Sequence, residues 1–411
     1  CGCQCRSNKG RAGICRSGRL SGQSSKNDKI VRKMKDIKVI PVYLPQFHTI
    51  PENDEWWGKG FTEWVNVKGA KPLFEGHKQP RIPLNKNYYN LSNVETLKWQ
   101  CRIAKEYGIY GFCMYHYWFN GKVLLHKPME ILLAHPEIDI NYCISWANGE
   151  WRDTWKCKDV KSTKVLIYDD YNNEKLWVDH FNYMLPFFKD NRYMKENNKP
   201  ILAIYAPHII MKLNKMLDLW TQMAKKEGFG GITYIYQSAA SSFDMSWDKS
   251  RFEYGVEMNP GYVNGISNRN TQQISRLMKY SREIKRILHI NRSLLATKNS
   301  SEIKQNDYDE VWQKILQLRP IGTTKMIPCA FTDWDNSPRF GINGSCYTGV
   351  TPQKFKHYFA LLVENAKKYY KSDKIFVFAW NEWAEGGYME PDELYGTGFL
   401  EAIKEVLDEQ N

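Results

Sequence analysis

Eight short apolar runs, each ending in polar or aromatic residues and separated from the next by polar or amphipathic sequence, constrain this chain more than any other feature. They are IKVIPVYLPQFH (37–48), GIYGFCMYHYWF (108–119), INYCISWANGEW (140–151), PILAIYAPH (200–208), GITYIYQS (231–238), FEYGVEMNP (252–260), MIPCAFTDWDN (326–336) and IFVFAWNEW (375–383). β-Branched and aromatic residues suit a pleated, buried surface, so each run reads as a strand. Strands alternating with helices imply parallel pairing and right-handed crossovers. Eight such units predict an α/β fold, a single (β/α)8 TIM barrel over residues 34–411. A doubly wound open sheet is the alternative, but neither a Gly-rich dinucleotide fingerprint nor a P-loop follows any strand.

Helix signals fill the intervals. SNVETLKWQCRIAKEYG predicts a helix with a capping box from Ser92 to Glu95 and a stop at Gly108. Further helices are expected at 172–189, 210–226, 271–289 and 307–318, and a last one over 396–409. In TPQKFKHYFALLVENAKKYY, Thr351 reads as N-cap and Pro352 as the first helical residue. Segment 49–91, rich in Trp, Pro, Asn and Tyr, is long for a βα loop and is expected to fold over the barrel mouth.

The net charge of +13 is concentrated at one end: residues 1–33 carry +8 and lack apolar periodicity. This stretch is expected to be a disordered basic tail. Met34 reads as an alternative start, and Cys1 as the lipid-bearing residue of a processed lipoprotein in a second reading. Nucleic-acid binding is not expected from so weak a cue. No run of about 18 apolar residues is present, so no membrane span is expected. Cys113, Cys143 and Cys329 lie within strand-like runs, where free thiols behave as small hydrophobes. Their usage reads as a reduced, cytoplasmic protein, and no cofactor or metal is expected.

The strand ends gather the chemistry. They carry Tyr43, Gln46 and His48; His116, Tyr117 and Trp118; Trp146, Asn148 and Glu150; His208; Asp333, Trp334 and Asp335; and Asn381, Glu382, Glu385 and Glu390. Indole and phenol faces stack on sugar C–H surfaces, while carboxylates, amides and imidazoles bind hydroxyls, so an oligo- or polysaccharide ligand is expected. Trp118, Trp146 and Trp334 are expected around one cleft with Glu382. Glu382 and Glu385 fit glycosidic acid/base work best, since it needs one protonated and one ionised carboxyl. Asp169-Asp170 stands before a helix, outside the strand-end pattern, and is read as an acidic helix start.

The motifs YLPQFHTIPENDEWWGKGFTEWVNV, WANGEW, TDWDNSPR and AWNEWAEGGYMEPD resemble the WbsX family, whose members contain a glycoside hydrolase family 99-like domain. The resemblance runs from about Met34 to the C-terminus. It implies a (β/α)8 barrel and retaining chemistry, with Glu382 as the base on the sugar 2-hydroxyl, giving a 1,2-anhydro intermediate, and Glu385 as acid/base. Ala384 departs from the pattern, standing where hydrolases of that family tend to have His. The family is also associated with surface-polysaccharide glycosyltransferases. The resemblance therefore leaves a sugar-nucleotide-dependent transferase as an alternative, with a non-catalytic glycan-binding barrel as a second.

Overall fold

The computed structural model describes residues 37–153, 164–238, 247–266, 302–320 and 322–410. All eight expected strands form: β1 (Lys38–Tyr43), β2 (Gly111–Phe119), β3 (Asn141–Trp146), β4 (Lys199–Ile204), β5 (Thr233–Ser238), β6 (Tyr254–Glu257), β7 in two pieces (Lys325–Ile327 and Cys329–Phe331), and β8 (Lys374–Phe378). Each pairs in parallel with its neighbours in chain order, and β8 returns to β1 through Ile40 opposite Phe376. The break in β7 falls at Pro328, which has no N–H to give to the ladder. The first piece pairs with β6 and the second with β8. The Pro328 carbonyl accepts from the Phe376 amide at 3.0 Å, so β7 carries the sheet round and closes the barrel. In β6, Gly255 is required by packing, because a Cβ there would lie 2.3 Å from the Tyr236 ring.

Seven helices of eight residues or more flank the strands among the described residues: α1 (Val94–Glu106), α2 (Lys127–Ala134), α3 (Glu174–Lys189), α4 (Leu213–Lys226), α5 (Tyr308–Gln317), α6 (Pro352–Asn365) and α7 (Gly398–Glu409). Thr351 caps α6 as expected, accepting from the Lys354 amide, with Pro352 in the first turn. At α1 the expected cap is displaced by one residue. Asn93, not Ser92, accepts from the Glu95 amide, while the Ser92 hydroxyl turns back to Asn90. An amide at Asn93 makes the same bond the serine was expected to make, so the box pattern misplaced the boundary by one. The helix expected at 271–289 and the basic tail at 1–33 lie outside the described residues.

The core is one continuous apolar body in which Cys113, Cys143 and Cys329 are buried free thiols. No helix of the described residues is long and apolar enough to cross a membrane. The loop after β1 forms short helices at Pro51–Trp57 and Glu63–Gly69, then ties itself to the C-terminal ends of β7 and β8. Arg81 pairs with Asp333 at 2.6 Å, His77 and Gln79 meet Asp335 at 2.8 and 2.6 Å, and the Leu84 amide donates to the Pro391 carbonyl.

Candidate active site

A cleft of about 1280 Å³ opens at the C-terminal ends of the strands. β2 supplies Tyr115 and Tyr117, the loops after β3 and β4 supply Asn148, Tyr205 and His208, and the segments after β6, β7 and β8 supply Asn259, Trp334, Glu382 and Glu385. This is the face where a closed parallel barrel presents residues from many strands at once.

Beyond β8, Asn381–Glu382 pairs antiparallel with Gly387–Tyr388, and the turn between them is a single 3-10 turn, Trp383–Glu385. That turn puts both glutamates on the cleft wall. It closes at Gly386, whose φ of +67° favours glycine and whose Cβ, if present, would lie 2.7 Å from the Asp335 amide nitrogen. The same close approach lets the Asp335 amide donate to the Glu385 carbonyl at 2.7 Å. Glu390 fixes the turn from behind by accepting from the Trp383 indole at 2.6 Å, from Tyr89 at 2.7 Å and from Gln100 at 2.6 Å.

One guanidinium gathers three carboxylates. Arg339, on the short helix Ser337–Phe340, donates to Glu385 at 2.5 Å and Glu382 at 3.2 Å, and lies 3.1 Å from Glu63. Asp335 holds the start of that helix by accepting from the Ser337 amide. Glu63 is completely buried, and its amide donates to the Gln46 carbonyl. Three acids against one cation leave the cluster short of positive charge. Burial, then the neighbouring Glu385, lifts Glu382 to about 8, with Arg339 pulling the other way. Burial also raises Glu385, again opposed by Arg339. Burial alone would lower Arg339, but Glu63, Glu385 and Glu382 outweigh it and hold the guanidinium charged. Such a pair retains one proton near neutrality, held mainly by Glu382 in the free protein, and acid/base work with Glu385 as the acid draws on the form in which that proton has passed to Glu385.

The structure sorts the residues expected to bind substrate. Tyr117, Asn148, Glu150, His208 and Trp334 line the cleft with Glu382 and Glu385. Asn148 also braces its rim, bonding Ala206 through both amide atoms. The others face elsewhere. Along β2 successive side chains point to opposite faces, so His116, Tyr117 and Trp118 cannot all enter the cleft. His116 bonds His180 of α3 at 2.9 Å, and Trp118 stacks on the same ring at 4.6 Å. Trp146 packs edge-on to His180 and against Trp220, in the helix layer too. Of the three tryptophans expected around one cleft, Trp334 alone reaches it.

The remaining expected ligands hold the scaffold. Tyr43 donates to Gln100, Gln46 accepts from Asn53, and His48 is buried, where loss of solvation lowers it to about 4. Asn381 latches the end of β8 to Leu44 through both amide atoms. Asp333 and Asp335 anchor the loop after β1, and Glu390 supports the turn. Sequence reasoning missed Tyr115, Tyr205, Asn259, Glu63 and Arg339. It also set aside Asp169, which lines the cleft and is lifted to about 6, chiefly by burial. Among the described residues no group of three or more His, Cys, Asp or Glu side chains is placed to hold a metal ion.

Fold and site together define a (β/α)8 barrel of the carbohydrate-active class, with paired acids at its C-terminal mouth. The profile of the glycosyltransferase WbsX family matches residues 39–403, and the chain belongs to that family. Two curated relatives from Xanthomonas campestris pv. campestris, both uncharacterized proteins named WxcX, are 30% and 31% identical over 90% of this chain. The chain spans about half the length of these relatives, 49% in each case. Among solved structures, a family GH99 endo-α-mannosidase from Bacteroides thetaiotaomicron superposes with a TM-score of 0.53 at 10% identity, covering 91% of this chain and 97% of its own. A second structure of that enzyme gives 0.51. At that identity the likeness concerns the fold.

Proposed function

We propose that the cleft cleaves or transfers at a glycosidic bond of an oligo- or polysaccharide with retention of configuration, using Glu382 and Glu385. The observation that supports this is the convergence of both carboxyls, each raised by burial, on one guanidinium at the cleft wall. In the first step Glu382, as carboxylate, takes the proton of the sugar 2-hydroxyl while O2 forms a bond to C1. The C1–O bond to the leaving group breaks, and the Glu385 proton goes to the leaving oxygen. In the second step Glu385 takes a proton from water or an acceptor hydroxyl, whose oxygen bonds C1. The C1–O2 bond opens and O2 recovers its proton from Glu382, so both glutamates return to their starting states. The activity named for the GH99 neighbours makes α-mannosides the first substrate class to test.

The family's name favours a second reading, a sugar-nucleotide-dependent transferase. The cleft weighs against it: among the described residues that line it there is no Lys or Arg to hold a diphosphate. Incubating the protein with a glycan array, with and without sugar nucleotides, separates the two. Cleavage or transfer without a sugar nucleotide, lost in Glu385→Gln, is the expected result. Turnover that depends strictly on an added sugar nucleotide overturns it.

A further inference from the structure

The register of the barrel places one more polar group on its inward face, beneath the residues that line the cleft. His116 pairs with Trp146, Trp146 with Ile204, and Ile204 with Tyr236 across four adjacent strands. The next residue on each strand, Tyr117, Ala147, Tyr205 and Gln237, therefore shares one level and, by alternation, the inward face. The first three line the cleft. Gln237 continues the same ring just below the cleft lining, opposite Val256 of β6, and Val256 stands two residues before Met258, which lines the cleft. Its side chain is 1% exposed, and neither its amide oxygen nor its amide nitrogen has a hydrogen-bond partner.

An amide sealed in this way is costly, and sheet packing gives no reason for it. A Met of the same length would fill the space with no polar atom to satisfy. The neighbouring carboxamides are bonded, Asn148 to Ala206 and Asn259 to the Cys329 carbonyl, whereas both polar atoms of Gln237 are left over. Unmet polarity just beneath a cleft is the form that recognition takes when the partner is the ligand. A carboxamide offers a donor and an acceptor side by side, the pattern that two adjacent hydroxyls of a pyranose match.

We infer that Gln237 is a specificity-determining residue, which reads a vicinal diol of the sugar at the floor of the cleft through both atoms of its amide. The inference rests on the glycan reading of the site. A site built to bond a hydroxyl rejects the analogue lacking it far more strongly than an apolar pocket does.

The test uses the full chain and the methyl α-glycosides of mannose, glucose, galactose and rhamnose, with calorimetric binding followed by the monodeoxy series of the tightest binder. For the wild type, removal of either of two adjacent hydroxyls is expected to weaken binding about tenfold or more. Gln237→Met is expected to erase that discrimination at those two positions and leave it at the others. Gln237→Glu, which keeps an acceptor only, is expected to keep discrimination at one of the two. Thermal unfolding supplies a readout independent of ligand, with the Met variant expected to melt at or above the wild type. A wild-type deoxy pattern in Gln237→Met overturns the inference, and so does a melting point lowered by several degrees, which would show the amide bonded in the free protein. Failure of the wild type to bind any of the four glycosides counts against the glycan reading itself and takes this inference with it.

Discussion

The ends of β7 and β8 carry nearly the same kind of sequence, TDWDN and NEWAE, and the fold uses them for opposite purposes. After β7, each carboxylate has its own partners. Asp333 meets Arg81, and Asp335 accepts from His77, Gln79 and the Ser337 amide. Burial pushes both up: at Asp335 the donors outweigh it and the pKa falls below the usual range, while Asp333 stays raised with Arg81 pulling the other way. After β8, two carboxylates share a single arginine with a third from the loop, and both are raised. The difference lies in how many cations and donors each acid can claim. Several donors that together outweigh burial make Asp335 an anchored anion, and one arginine shared among three acids leaves Glu382 and Glu385 with a proton to give.

The strongest way to break the comparison is at the shared pair. Glu385→Gln is expected to lower turnover of an unactivated glycan by roughly 10³-fold, and far less for an aryl glycoside whose leaving group needs no proton. Glu382→Gln is expected to be severe with both, because the 2-hydroxyl must still be deprotonated. Steady-state rates of the two variants on both substrates make the check. Near-wild-type rates for Glu382→Gln on both would refute the assignment.

Asp333→Asn tests the other side. It strands the buried Arg81 guanidinium, and loss of one partner of a buried pair costs about 3–5 kcal/mol. The expected result is a large drop in stability by denaturant unfolding. The bond-breaking step in the remaining folded protein should keep its preference between activated and unactivated substrates. If Asp333→Asn is as stable as the wild type yet inactive, the residue belongs with the acids of the cleft.

Glu63→Gln sharpens the comparison by bringing the β8 cluster closer to full compensation. Glu63 raises Glu382, so removing its charge is expected to lower that carboxyl from about 8. The base must be ionised, so activity rises with pH through its pKa. The rising limb of the pH–rate profile should therefore move to lower pH, by about one unit. An unmoved limb would detach Glu63 from the pair.

How much of this was legible in sequence follows from what a strand pattern encodes. Eight apolar runs with intervening helices specify the barrel, because burial and alternation are local properties of each run. The pair at Glu382 and Glu385 was legible too, since a short turn after a buried strand has few ways to point. Direction across a strand was less so: Tyr117 reaches the cleft while His116 and Trp118 meet His180 behind it. Attention to alternation within GFCMYHYWF would have separated them and added Tyr115. Arg339 was in view within TDWDNSPR, and its sign, opposite to the acids beside it, was the available signal. Glu63 had none, because only the return of a long loop brings it 3.1 Å from Arg339.

The smallest expected effect concerns stability rather than rate. Glu382 binds its proton more tightly folded, with a pKa of about 8, than unfolded, near 4.5. Between those values the native state holds more protons than the unfolded chain. Stability therefore falls as pH rises from about 5 to about 8, and is greatest below the unfolded value. Asp335 works in the opposite sense: its folded pKa is depressed, so its contribution is present above the unfolded value and lost in acid. In Glu382→Gln the decline between pH 5 and 8 should flatten, leaving the variant about 1–3 kcal/mol more stable at pH 8 relative to its own value at pH 5 than the wild type is. Urea unfolding of the two proteins at a series of pH values measures this directly. Parallel curves for the two proteins would mean that Arg339 fully compensates the β8 acids, and the contrast with β7 would then disappear.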